Sequence, residues 1–167
     1  MPEIVVALRS STIQDSPALG SLHRDAWRNA YRGIIPGVAL ERMLARRGAA
    51  WWEHMHRQGR SVLVVDLSGE PAGYAMLGPA RGARGGGGEI YELYMRPDCQ
   101  GIGLGRRLFE ASWQRLQEAG CSSLVVWALI ENTIACRFYS AMGGTEGGRA
   151  HALVGGRRLE KISFRWT

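Results

Sequence analysis

Seven stretches of the chain are rich in apolar and β-branched residues and are bounded by turn formers. They run from Glu3 to Arg9, Ser61 to Leu67, Pro71 to Leu77, Glu89 to Met95, Ser123 to Leu129, His151 to Val154 and Arg157 to Trp166. That pattern predicts strands. Ser68-Gly69 and Gly155-Gly156 are tight-turn pairs, so the second and third strands and the last two form hairpins. Elsewhere the apolar period is helical. Leu19, Leu22, His23, Ala26 and Trp27 share one face, after a start at which Asp15 or Ser16 caps and Pro17 suits the first turn. Gly33 and Pro36 break that helix. Val38 to Arg47 and Ala49 to Arg57 read as further helical segments with Gly48 between them. Leu104, Leu108, Ala111 and Leu116 define a helix over Gly103 to Ala119, closed by Gly120. Asn132 to Met142 is a short helix that ends at Gly143-Gly144, and Gly78 to Gly88 is a glycine-rich connection.

The expected order is β-α-α-β-β-β-α-β-α-β-β. It mixes antiparallel hairpins with one strand-helix-strand unit, Glu89 to Leu129. The predicted fold class is therefore α+β: a layered single domain over residues 1–167, with a mixed, mostly antiparallel twisted sheet flanked by helices. A chain of 167 residues suits one domain with an ordinary core.

Composition narrows the class. Apolar residues make up 46% and charged residues 22%, which excludes a disordered or collagen-like chain. The longest apolar run, Leu124 to Ile130, is too short to span a membrane, and Met1-Pro2-Glu3 does not open a secretory signal. Three cysteines without metal-ligand spacing point to a reduced, cytoplasmic protein. His54 and His56 are two apart and do not share a helix face, so no metal site is expected. The net charge is +6, and all but one of the 21 basic residues are arginine. A GC-rich genome explains that bias; a phosphate-bearing ligand or nucleic acid is the functional alternative. The arginines are spread along the chain without interleaved aromatics, which argues against a nucleic-acid module. The Gly82 to Gly88 stretch together with Arg81 and Arg84 resembles an RGG segment, but a hairpin loop is the simpler reading.

The stretch from Glu89 to Glu110 carries the chemistry. A strand runs into Gln100-Gly-Ile-Gly-Leu-Gly105-Arg-Arg, which opens a helix. Glycines allow a tight turn, and the first amides of the helix have no carbonyl partners, so together they offer an anion site suited to a pyrophosphate. Arg106 and Arg107 stand in the first helical turn to reach further phosphates. A dinucleotide fingerprint would need its third glycine at position 106, and no Gly-Lys-Ser/Thr follows for a Walker loop.

Gln100-x-x-Gly103-x-Gly105 resembles the Q/R-x-x-G-x-G/A pattern of the GNAT superfamily of acetyl-CoA-dependent N-acetyltransferases, placed after the fourth strand as in that family. Asn132-Thr-Ile-Ala-Cys-Arg-Phe138-Tyr139-Ser-Ala-Met-Gly143 is similar to its Asn-x-x-Ala-x-x-Phe-Tyr-x-x-x-Gly segment. The resemblance covers roughly Ser61 to Trp166 well and the N-terminal third in outline, where Trp27-x-x-Ala30-Tyr31-Arg32-Gly33-Ile34 is similar to a subset of bacterial members.

The resemblance implies a GNAT-like fold and an acyltransferase that moves the acetyl group of acetyl-CoA to a primary amine by direct attack in a ternary complex. It implies that the backbone from Gln100 through Gly101, Ile102, Gly103, Leu104, Gly105 and Arg106 holds the pyrophosphate. Leu93, Tyr94 and Met95 would bond the pantetheine arm like an added strand, with Asn132 also on the arm. Tyr139 matches the tyrosine whose hydroxyl protonates the leaving sulfur. An amine with a pKa of about 10.4 is almost wholly protonated at pH 7, so a carboxylate must take its proton. The candidates are Glu89 and Glu92, which strand alternation places on opposite faces. Glu89 ranks ahead because it lies eleven residues before Gln100, the offset of the histone-modifying members. Cys136, one turn before Tyr139, raises an acyl-cysteine route, although a small buried thiol is the simpler account. Trp27 and Tyr31 share a helix face and either line the acceptor pocket or belong to the core. The acceptor is a small-molecule or peptide amine; neither nucleic acid nor membrane is expected as a partner, and a homodimer stays open beside a monomer. The competing class is a catalytically silent acyl-CoA-binding regulatory domain.

Overall fold

The computed structural model describes residues 2–82 and 86–167. Its strands are β1 (Val6–Ser10), β2 (Ser61–Leu67), β3 (Glu70–Pro79), β4 (Gly87–Met95), β5 (Ser123–Leu129), β6 (Thr145–Val154) and β7 (Arg157–Trp166). Its helices are α1 (Ser16–Tyr31), α2 (Gly37–Ala45), α3 (Ala49–Arg57), α4 (Leu104–Glu118) and α5 (Thr133–Ala141). The sheet order is β1-β2-β3-β4-β5-β7-β6, with β4 and β5 parallel and every other pair antiparallel. The expected α+β class is therefore observed.

Several elements differ from the expectation. Three helices separate β1 from β2, as the helical segments read on either side of Gly48 predict, although the expected order counted two. β1 starts at Val6 rather than Glu3, since its pairing with β2 runs out at Leu67; Ile4 and Val5 are exposed. β6 begins at Thr145, six residues early. Its Gly147-Gly148 interruption hides it from strand patterning, and pairing to β7 carries it past a bulge between Glu146 and Arg149. Of the glycine-rich connection and the RGG-like stretch within it, residues 83–85 lie outside the described residues.

Two layers of helix cover the sheet. On one face α4 and α5 bury Leu108, Phe109, Leu116 and Tyr139 against Ile90, Val126 and Phe164. On the other, α1 and α3 bury Leu19, Leu22 and Trp52 against Val64 and Tyr74, while α2 packs Leu40 and Leu44 beside Tyr31 and Leu159. Among the described residues no helix is long and apolar enough to cross a membrane.

The alternation along β4 changes where the chemistry falls. β4 pairs Glu92 with Met76 but Ile90 with Leu77, so Tyr91 is an extra residue in a bulge. Ile90, Leu93 and Met95 pack toward α4. Tyr91 and Tyr94 pack with the cluster under α1 and α3, and the Tyr74 hydroxyl in that cluster donates to Glu92. Glu89 binds Arg81, whose guanidinium also covers the Tyr91 ring. Glu89 and Glu92 are therefore on the same face. The expectation of opposite faces is corrected, because one inserted residue reverses strand parity.

His23 in α1 is 1% exposed, and burial pushes its pKa down to about 3, helped by the nearby Arg47 charge. Its folded pKa lies below the unfolded value, so the unfolded chain binds the extra proton. Stability from this group is complete above about pH 6.5 and is lost as pH falls toward 3. Between pH 7 and pH 5 the loss from this residue is about 2 kcal/mol. Urea midpoints at the two pH values measure it, and His23→Leu should flatten that dependence.

Candidate active site

β4 and β5 pair only at Gly87 to Glu89 against Ser123 to Val125 and then diverge. Beyond Glu89 the β5-facing backbone groups of β4 have no neighbouring strand. The opening leads to a cavity of about 440 Å³ whose wall includes Leu93, Tyr94 and Met95 of β4. Gln100, Gly101, Gly103, Gly105 and Arg106 line it as well, as do Asn132 and Tyr139. Thus nine of the eleven expected cofactor residues, Leu93, Tyr94, Met95, Gln100, Gly101, Gly103, Gly105, Arg106 and Asn132, meet around one space. The other two do not face it: the Ile102 side chain is 65% exposed, and Leu104 is buried in the α4 core.

The local sequence explains the loop. A 3-10 turn over Pro97–Cys99 ends β4, and Gly103 holds φ +83 at the N-cap of α4. Side chains with a Cβ avoid that left-handed region. The first helical bond runs from the Arg107 N–H to the Gly103 carbonyl, so the amides of Leu104, Gly105 and Arg106 have no partner within the helix. These amides and the positive end of the α4 dipole suit a pyrophosphate. The long divided strand gap beside them suits an extended, amide-bearing arm, so the residues present fit acetyl-CoA.

Tyr139 is buried at the cavity wall, and no group among the described residues bonds its hydroxyl. Burial raises its pKa well above the ordinary phenol value, and the neighbouring Tyr31 and Cys136 add to the rise. It stays a protonated donor at neutral pH. Asn132 caps α5 through Oδ1, which accepts the Ala135 N–H at 3.2 Å. Cys136 donates to the Leu129 carbonyl, and burial raises its pKa. It does not border the cavity, which fits a packing thiol rather than a nucleophile.

The two carboxylates differ in what is left free. Glu89 is 1% exposed, with Oε1 taking the Arg81 backbone N–H at 3.0 Å and Oε2 the Arg81 guanidinium at 2.7 Å. Glu92 receives the Tyr74 hydroxyl at 3.0 Å and Arg47 Nη1 at 2.9 Å, both on Oε1. Its Oε2 has no partner among the described residues. Neither carboxylate borders the cavity directly; Glu92 sits behind Tyr94, its neighbour on the same face of β4.

Tyr31 belongs to the core, 7% exposed among Ile35, Leu40 and Leu159, with its hydroxyl bonded to that of Tyr94. Trp27 is half-buried against the His23, Tyr31 and Tyr94 rings and does not border the cavity. Instead α1 contributes Ala26, Asn29 and Ala30 to the wall, and α5 adds Ile134, Ala135, Phe138 and Met142. Sequence reasoning missed these. Ala26 and Ala30 are small residues one turn apart, and the α5 positions fall within the Asn132 to Gly143 segment.

Residues 21–143 match the sequence model of the Acetyltransferase (GNAT) family. The chain is 29% identical over 163 residues, 97% of its length, to an uncharacterized N-acetyltransferase of Bacillus subtilis, YuaI, of which it covers 93%. It is 32% identical over 121 residues, 71% of its length, to the L-methionine sulfoximine/L-methionine sulfone acetyltransferase of Pseudomonas aeruginosa, of which it covers 68%. In fold it resembles yncA of Salmonella typhimurium, a structure with acetyl-CoA, at a TM-score of 0.71 and 22% identity over 97% of this chain and 93% of that one. With a splayed central strand pair, a glycine turn at the α4 N-terminus and a buried tyrosine at the wall already in place, the match makes this chain a member of the acetyl-CoA-dependent GNAT family of N-acetyltransferases.

Proposed function

We propose that the protein acetylates a primary amine by direct attack, with Glu92 accepting the amine proton and Tyr139 donating one to the leaving sulfur. The observation that carries this reading is that Oε2 of Glu92 has no partner among the described residues, while Glu92 stands two residues from Tyr94 of the cavity wall. Glu89 ranks second, because both of its oxygens are already bonded to Arg81. Bound acetyl-CoA supplies a thioester whose acetyl carbon takes the amine and whose sulfur departs.

The amides of Leu104, Gly105 and Arg106 bind the pyrophosphate, and the unpaired edge of Leu93 to Met95 orients the arm. Glu92 Oε2 takes a proton from the acceptor's ammonium, directly or through one water. The Tyr139 hydroxyl, kept protonated by burial, gives its proton at the sulfur end of the wall. The Pseudomonas relative is named for small amino-acid analogues, which makes an amino-acid-like amine the first acceptor to test. Peptide amines form the second arm of the same panel.

Free-thiol release from acetyl-CoA across that panel tests the activity. Acceptor-dependent release with an N-acetyl product supports the reading, and acetyl-CoA binding without turnover on any amine defeats it. Tyr139→Phe tests the acid: kcat should fall by about tenfold or more with the acetyl-CoA Kd unchanged, because only the transition state develops charge at sulfur.

A further inference from the structure

We propose that Arg47, in the turn between α2 and α3, is a positioning residue for the reaction: it fixes Glu92 with Oε1 engaged and Oε2 turned free for the acceptor. The inference rests on the assignment of Glu92 as the base. The Arg47 side chain is 15% exposed, and Nη1 meets Glu92 Oε1 at 2.9 Å. The guanidinium lies 3.9 Å from the Trp51 ring centre, with Trp52 at 5.3 Å and Trp27 at 5.5 Å. Nη2 approaches the Met76 sulfur at 3.9 Å. Contacts from α1, α3 and β3 thus leave the head group one orientation.

The backbone is fixed as well. The Arg47 N–H bonds the Leu44 carbonyl. The next residue, Gly48, lies against Gly20 of α1, where an added Cβ would stand 3.3 Å from the Gly48 carbonyl carbon and 3.2 Å from the Ala49 nitrogen. That close approach sets where the α2–α3 turn stands above β4.

Stability alone does not account for this arrangement. A buried ion pair returns little beyond its desolvation cost, and Arg47 Nε is buried without an acceptor. A methionine or leucine among three indoles would pack without that penalty. What the arginine adds is direction. With Tyr74 it occupies the same carboxylate oxygen, so the carboxylate cannot rotate and the other oxygen stays available. The sequence separation of 45 residues between Arg47 and Glu92 hides the pair from any local pattern.

Arg47→Met keeps the packing volume and removes the bond to Glu92. Its kcat should fall by about 10- to 100-fold, as for a displaced reacting group, with the acetyl-CoA Kd by calorimetry unchanged. Methylguanidinium at millimolar concentration should restore part of the lost kcat in Arg47→Ala, by entering the indole-lined space. A purely structural ion pair would show neither the kcat-specific loss nor the rescue. A kcat within twofold of wild type in Arg47→Met overturns the proposal, as does a loss shared by kcat and acetyl-CoA affinity that methylguanidinium does not restore. Should neither truncation fold, Arg47→Lys decides: a severalfold drop in kcat is expected because an ammonium lacks the planar stack, and wild-type kcat overturns the assignment. Glu92→Gln separates the two readings. Full activity in Glu92→Gln removes the base and this proposal together, whereas a slow Glu92→Gln beside a normal Arg47→Met removes only the role of Arg47.

Discussion

Glu92→Gln lowers kcat/KM for the amine by about 10²- to 10⁴-fold, the range by which a placed general base accelerates proton removal. The amide is nearly the same size and still accepts the Tyr74 hydroxyl and Arg47 at its oxygen, so the folded structure should persist. What disappears is a basic atom at the position of Oε2. The acetyl-CoA Kd should therefore stay at the wild-type value, since the glycine loop is untouched. Glu89→Gln should behave in the opposite way. Glu89 is 1% exposed and holds two groups of Arg81, so the substitution costs stability. It should leave kcat per folded molecule within about threefold, because it touches none of the groups given the proton-transfer roles. Steady-state kinetics beside thermal melts distinguish the pair. If Glu89→Gln is the slow variant and Glu92→Gln is not, the ranking reverts to Glu89.

Gly103→Val weakens acetyl-CoA binding by at least about tenfold. Gly103 holds φ +83 where the loop turns into α4, a conformation a β-branched residue adopts at a cost of about 1–3 kcal/mol. Nothing lies within 4 Å of a Cβ built there, so the substitution does not collide with the protein itself. The strain and the new side chain both fall where a pyrophosphate would approach the amides. A variant loop that relaxes to negative φ when free must repay that cost to bind, and each factor of ten in Kd corresponds to about 1.4 kcal/mol, so the backbone cost alone reaches the predicted loss. Gly105→Ala is the milder control, since its Cβ would rest 3.6 Å from the Phe138 ring in ordinary contact. Calorimetric titration of the three proteins measures the series. A Gly103→Val variant that binds as wild type would defeat the loop assignment.

Much of this molecule is local. The glycines at 101 and 103 permit the left-handed turns observed there before the helix. The segments Ser61 to Leu67, Ala49 to Arg57 and Ser123 to Leu129 coincide with the observed elements, the first as a strand buried on both faces. Asn132 announces its helix through its own capping bond three residues on. The family match follows from the same short-range patterns.

The carboxylates show what local pattern misses. Alternation puts Glu89 and Glu92 on opposite faces, and only the pairing of β4 with β3 inserts Tyr91 and turns them to the same one. Arg81 takes both oxygens of Glu89 across the β3–β4 connection, while Tyr74 and Arg47 leave Glu92 one oxygen free. Tyr31 shares a helix face with Trp27 in the sequence, but α2 and β7 close over it and make it core. Ala26, Asn29 and Ala30 reach the cavity only because α1 crosses the sheet beside the opening between β4 and β5. The amino-acid sequence by itself determined most of the elements, the glycine turn before α4 and the family. Tertiary structure decided which titratable groups are consumed in ion pairs and which keep a free atom, because those partners stand 8 to 45 residues apart and are chosen by packing.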